Sequence, residues 1–171
     1  MNQNYTRIIK KEDQKVPFLR VLDRKDRDIL NILSKNARSK LVYIAKKIGL
    51  SVDATKKRIM KLERDGVITR YTIQVNPPVI GLPLGIHIYL KLKNFDQKRL
   101  DEFIRYLTGN PRVIDVMSMA GDYDLYIVLL ASDTVDLDRR KNEIRQKFSD
   151  LIGDWKEVLV TKIYMLEDYR F

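Results

Sequence analysis

Cysteine is absent and histidine occurs once, at His87. Without thiols the chain has no disulfide, no thiolate nucleophile and no cysteine-built zinc site, and one imidazole cannot assemble a histidine-rich metal centre. No metal site and no cofactor are expected. Long apolar runs are missing too, so nothing in the sequence reads as a membrane span, and the polar stretch Met1 to Lys15 does not read as a secretory leader. An intracellular, cytoplasmic protein is the expectation. Proline and glycine are scarce, five and seven in 171 residues, and three of the prolines with two of the glycines crowd into Asn76 to Gly85, NPPVIGLPLG. That stretch cannot continue as regular helix or central strand and predicts a stiff connector between two folded parts.

Charge divides at the same place. Residues 1–78 carry 19 Lys and Arg against 8 Asp and Glu, whereas residues 79–171 carry 14 against 15. The whole basic excess therefore sits before or within the connector, which predicts one module that meets a polyanion and a second with another task. Nucleic acid is the favoured polyanion, because no basic amphipathic helix here is backed by a membrane-seeking aromatic face.

Punctuation places three helices in the basic module. Asp23 followed by Asp26 resembles a capping box, and Ile29, Leu30 and Leu33 form an apolar face behind it. A second helix starts near Leu41, presents Leu41, Ile44, Ala45 and Ile48, and ends at Gly49. Ser51 is the natural N-cap of a third, which Gly66 closes. On that third helix Thr55, Ile59 and Leu62 share one side, while Asp53, Lys56, Lys57, Lys61 and Arg64 spread over the other. One face packs and one is cationic, the arrangement of a recognition helix in the DNA major groove. The bland alternative is a solvated surface helix. Val67 to Val75 alternates as a strand and predicts a wing, with Arg70 on its exposed edge toward phosphate. Residues 1–21 form an extension, either disordered or an ordered arm.

The second half changes rhythm. Ile86, Ile88, Leu90 and Leu92 alternate as a strand; Leu100, Phe103, Ile104 and Leu107 follow at helical spacing; Gly109, Asn110 and Pro111 break the chain. Strands at Val113 to Met119 and Asp124 to Ala131 flank the turn Ala120 to Tyr123. A helix opened by Ser132 or Asp133 carries Leu137, Ile144, Phe148 and Leu151, and a last strand is expected from about Lys156 to Met165. The order βαββαβ predicts an α+β fold, a ferredoxin-like sandwich with one open sheet face suited to pairing with a second copy.

The runs LDRKDRDIL, IAKKIGLS and RIMKLERDGVI, then a wing, a proline-containing linker and AGDYD between the middle strands of a βαββαβ domain, resemble the Lrp/AsnC family of feast-or-famine transcription regulators. The resemblance spans residues 22 to about 168. It implies a winged helix-turn-helix at 22–75, a linker at 76–85 and a RAM-type dimerisation and effector domain at 86–171. It further implies double-stranded DNA as partner, a homodimer or octamer, and an amino acid or similar small effector. Carried over by position, it makes Lys40, Ser51, Lys56, Lys57, Arg58, Lys61 and Arg70 the DNA-contact candidates, with Arg58 open to a structural role. It sets Gly121, Asp122, Tyr123 and Asp124 at the effector site, where main-chain amides meet a carboxylate and an acid meets an ammonium. A plain positive-φ turn is the alternative there. The family's usual apolar-Ser/Thr start of helix two is Ser39-Lys40 here, and Thr55 stands where valine is common. The resulting expectation is a nucleoid-associated regulator and not an enzyme. An architectural DNA-coating protein and a haem-precursor decarboxylase using His87 are the rivals.

Overall fold

A computed structural model of the chain describes residues 20–94, 96–166 and 168–171. The expected extension at 1–21 lies outside these, apart from Arg20 and Val21. The described residues form two compact units, 20–74 with the segment from Tyr164 onward, and 75–163.

The first unit holds α1 (Arg24–Lys35), α2 (Leu41–Ile48) and α3 (Val52–Arg64). Each begins or ends where the sequence chemistry requires it. Asp23 caps α1 by accepting from the Asp26 amide at 2.8 Å, and Ser51 caps α3 by accepting from the Ala54 amide at 3.1 Å. Such caps contribute about 1 kcal/mol each. Lys40, at the start of α2, makes no side-chain cap, so the departure from the usual Ser or Thr leaves that end to the main chain. Gly49 takes φ 66°, the left-handed turn that sends α2 into α3, and the Lys25 ammonium donates to the Ile48 carbonyl beside it. Ile29, Leu30, Ile44, Ile48 and Leu62 make the core; each contributes about 2 kcal/mol by leaving water. The C-terminal segment joins this unit through Phe171, whose main chain pairs with the Asn31 carboxamide in both directions at 3.0 Å. No sequence periodicity pointed to that pairing.

The wing strand does not form. Val67 to Val75 has no ladder partner among the described residues, and Arg70, Ile73 and Val75 are exposed. Alternation alone is insufficient here because a strand needs a neighbour, and none lies alongside. The segment is tied back to α3 instead, by a Tyr71 hydroxyl donating to Glu63 at 2.8 Å. Partial burial, and then the Glu63 carboxylate, push the Tyr71 phenol up to about 12.

The second unit opens with the 3-10 turn Pro77–Ile80, so the connector carries structure of its own. Four strands follow, β1 (Leu84–Leu92), β2 (Val113–Ser118), β3 (Leu125–Ala131) and β4 (Ile152–Leu159), with α4 (Gln97–Gly109) and α5 (Thr134–Lys147) between them. The sheet order is β2-β3-β1-β4 and every pairing is antiparallel, the expected βαββαβ topology. Ile86, Ile88 and Leu90 of β1 and Leu125, Ile127 and Leu129 of β3 point to one face. Phe103 and Leu107 of α4, Ile144 of α5, and Phe148 with Leu151 cover it. The Phe103 and Phe148 rings lie 4.5 Å apart. The bounds of α5 and β4 differ from expectation. Phe148 and Leu151 fall beyond α5, and the last strand begins at Ile152 and ends at Leu159, because β1 pairs from Ile86↔Leu159 down to Leu92↔Ile152. The Gly153-Asp154 pair looks like a turn in sequence, yet β4 runs through it, with Asp154 opposite Lys91 and Gly153 at a register shift.

The opposite face of the sheet carries His87, Tyr89, Tyr126, Val128, Met117 and Val158, since side chains alternate along strands in this register. His87 Nδ1 and the Tyr126 hydroxyl share a hydrogen bond of 2.8 Å, and the Tyr89 ring leans on Tyr126 at 5.3 Å. His87 is thus part of a polar and aromatic surface layer.

Three carboxylates of this unit are held below their ordinary value of 3.8: Asp136 chiefly by Arg140, Asp133 by the Asp136 amide, and Asp150 by Arg99. A depressed folded value gives stability that is present above 3.8 and is lost as pH falls through the folded values. Acid titration followed by Trp155 emission is therefore expected to show destabilisation below about pH 4. Asp136→Asn, less stable at neutral pH, is expected to lose less between about pH 5 and about pH 2; equal losses would remove Asp136 from the account.

Candidate functional site

The third helix is held from behind by charge. Asp26, 2% exposed at the front of α1, accepts from Arg58 Nη1 at 2.9 Å and from Arg20 Nη2 at 2.8 Å. The same Arg58 Nη1 reaches Asp23 Oδ2 at 2.6 Å, and Arg20 also pairs with Asp65 beyond the end of α3, at 3.0 Å. Arg58 was expected among the DNA contacts with a structural role left open, and its bonds here are to the protein itself. Its guanidinium faces α1, where the Asp23 and then the Asp26 carboxylate raise its pKa. The Asp26 amide, followed by Arg58, lowers that of Asp23. Arg58 is a positioning residue. Asp26 also departs from the predicted capping box, in which its carboxylate would reach back to the main chain of Asp23. Arg20 was missed because it precedes the periodic region, and only the folded chain brings it to Asp26 and Asp65.

The outward side of α3 carries the remaining cations. Lys56, Lys57, Lys61 and Arg64 are exposed. Among the described residues Lys57 pairs with Asp53, one turn earlier, at 2.9 Å; that contact, first by hydrogen bond and then by charge, raises its pKa. Ser51 is exposed at the helix N-terminus with its hydroxyl already engaged by Ala54, so a phosphate arriving there meets main-chain amides as well as the hydroxyl. Lys40 and Arg70 are exposed on other segments of the same unit. A helix with its lysines outward and Arg58 locked inward can enter a DNA groove without rearranging its core.

The four turn residues of the second unit separate into two kinds. Gly121 adopts φ 144°, a conformation suited to glycine, and Gly121 and Asp122 are exposed. Tyr123 is half-buried, with its ring 5.8 Å from Tyr89. Asp124 is already used: Oδ2 accepts from the Leu92 amide at 2.7 Å, its amide donates to Leu90, and its carbonyl accepts from Met119. Lys91 stands 3.5 Å from Oδ1. Of the two acids expected at this turn, Asp124 is thus engaged by the protein itself. This carboxylate pins the turn to the end of β1 and leaves Asp122 as the available acid.

Comparison with known proteins is consistent with this geometry. The "Winged helix-turn-helix DNA-binding" family profile matches residues 22–69, and the "Lrp/AsnC ligand binding domain" profile matches residues 86–160. A glutamate uptake regulatory protein of Zymomonas mobilis is 32% identical over 153 residues, covering 90% of this chain and 89% of the relative. The transcriptional regulator LrpA of Pyrococcus horikoshii is 35% identical, with 68% and 81% covered. Among solved structures, an AsnC family regulator from Agrobacterium tumefaciens superposes with a TM-score of 0.78 at 25% identity, covering 86% of this chain and 95% of the other. A Neisseria meningitidis regulator in complex with L-Met has the same fold, with a TM-score of 0.76 at 20% identity over 85% and 94% of the two chains.

The charge network behind α3 makes a direct prediction. Asp26→Ala leaves two buried-side guanidinium groups short of a partner, and urea unfolding is expected to show a loss of roughly 3 kcal/mol. A loss under about 0.5 kcal/mol, the range of an ordinary surface substitution, would show that the network does not hold the helix.

Proposed function

Because the chain belongs to the Lrp/AsnC family of helix-turn-helix transcriptional regulators, we propose that it grips a double-stranded operator through Ser51, Lys56, Lys57 and Lys61. Lys40 and Arg70 add flanking phosphate contacts in this reading. The observation that carries it is α3 itself: its Arg58 is locked against α1 and its lysines stand outward, behind the Gly49 turn and the Ser51 cap. The working division is a DNA-binding part over 22–75, a connector over 76–85 and an effector part over 86–171. The chain acts by binding and not by catalysis, in the cytoplasm at the nucleoid.

The effector in this proposal is an amino acid at the turn Gly121 to Tyr123. Main-chain amides of the turn would receive its carboxylate and Asp122 its ammonium group, with Asp124 keeping the turn in place. The L-Met bound by the Neisseria regulator and the name of the Zymomonas relative support this ligand class. Two copies would pair through the sheet face that bears Tyr89, Tyr126, Met117 and Val158, because an open face with that much apolar surface favours burial. Such pairing would set the spacing between two recognition helices, with further association into an octamer.

Fluorescence anisotropy against a selected operator tests the DNA grip. Lys56→Ala and Lys61→Ala are each expected to weaken binding and lower the slope of log K against log salt by about one. Unchanged slopes in both would place the phosphate contacts elsewhere. A thermal-shift screen of the twenty amino acids tests the effector, since a ligand at a hundredfold its dissociation constant stabilises by about 2.7 kcal/mol. Asp122→Ala should abolish the shift of the responding amino acid; a shift that survives would move the site away from this turn.

A further inference from the structure

The outward side of α3 has a pole and two flanks, and the residues on them differ in kind. Thr55 and Leu62 are fully buried, with Arg58 and Ile59 turned the same way, which defines the inward side. Directly opposite, Asp53, Lys57, Met60 and Arg64 recur at the spacing of a single helical stripe. Their exposures are 72%, 76%, 55% and 74% in that order. Lys56 and Lys61 lie to either side of the stripe.

A helix that enters the major groove points its outermost stripe at the base edges, while its flanks face the two sugar-phosphate strands. Lys56 and Lys61 therefore fall toward phosphate. The pole holds a carboxylate, and its position calls for a physical account. A negative charge carried into a polyanion is repelled, so Asp53 weakens binding to DNA in general unless a base offers it a hydrogen-bond donor. Cytosine N4 is the donor that a carboxylate matches, and guanine O6 and N7 are the acceptors that an adjacent ammonium matches. Asp53 and Lys57 already stand together at 2.9 Å, with no other ion-pair partner among the described residues and nothing of the core depending on them. They form a ready acceptor and donor couple in the first turns of the helix, where base contacts concentrate. Met60, one turn further along, supplies an apolar surface of the kind that meets a thymine methyl.

We propose that Asp53, Lys57 and Met60 read the operator sequence, Asp53 accepting from a cytosine N4 amino group and Lys57 donating to a guanine, while Lys56 and Lys61 hold phosphates without discrimination. This rests on the DNA-binding function proposed above and assigns its specificity. The charge opposition makes Asp53 a selector: it penalises every sequence lacking the donor and is offset where the donor is present.

Binding-site selection from randomised duplex DNA with the full chain tests the assignment. The wild type is expected to enrich a motif with a cytosine at one position of each half-site. Asp53→Asn is expected to move the preference there toward adenine, which a carboxamide reads at N6 and N7, by about tenfold or more. Lys57→Gln should relax the neighbouring guanine, whereas Lys56→Ala and Lys61→Ala should weaken binding to all sequences and leave the motif intact. If Asp53→Asn enriches the wild-type motif at every position, the carboxylate serves only the helix N-terminus and Lys57, and the proposal fails. If the wild type enriches no motif at all, sequence-specific DNA binding itself fails, and this assignment with it.

Discussion

The buried carboxylate of Asp26 is the point from which the recognition helix is held. It sits at the front of α1, almost wholly out of solvent, and takes one guanidinium from α3 and another from the residue that precedes α1. A lone charge so placed would be strongly unfavourable; between Arg58 and Arg20 it becomes a fixed, directional joint. The apolar contacts of Ile29, Ile44 and Leu62 bring three helices together and set the inward side of α3. The Arg58 to Asp23 and Asp26 bonds fasten that phase, because one Nη1 reaches both acids only when this side of α3 faces α1. Every other residue of α3 then has its direction set, including the lysines and Asp53 that face outward.

A similar division of labour appears in the second unit. The apolar alternation of β1 and β3 builds a sheet and buries one face, while a carboxylate fastens the loop. Asp124 satisfies the Leu92 amide at the end of β1, and so joins the β2-β3 turn to the central strand. That leaves Gly121 and Asp122 displayed on a turn with a defined base, a prerequisite for any recognition at that position. In both units, then, a charged residue is spent on positioning, Arg58 in one and Asp124 in the other, while a near neighbour in sequence, Lys57 or Asp122, stays exposed.

These double uses mark the limit of what residue type can reveal. Arg58 and Lys57 are adjacent cations on one helix, yet one is turned in and the other out, and the difference lies in Asp23 and Asp26, which are more than thirty positions away in the chain. Asp122 and Asp124 are near neighbours of identical chemistry, separated only by what β1 presents to them. The absent wing strand and the early start of β4 have a related origin. Val67 to Val75 carries a strand-like pattern without a ladder partner among the described residues, whereas Gly153 and Asp154 carry a turn-like pattern inside β4, where Asp154 pairs with Lys91 and Gly153 takes up the register shift.

Local information determined much of this protein: the caps at Asp23, Ser51 and Asp133, the left-handed turn at Gly49, the helical faces of the first half, and the βαββαβ order of the second. All of these depend on contacts within a few residues or on simple periodicity, and both are written along the chain. Only the tertiary structure decided which charged groups are committed to the protein and which remain for a partner. An ion pair between distant segments exists only after the core has brought them together, so the roles of Arg20, Arg58 and Asp124, and through them of Asp53 and Asp122, appear only in the folded chain.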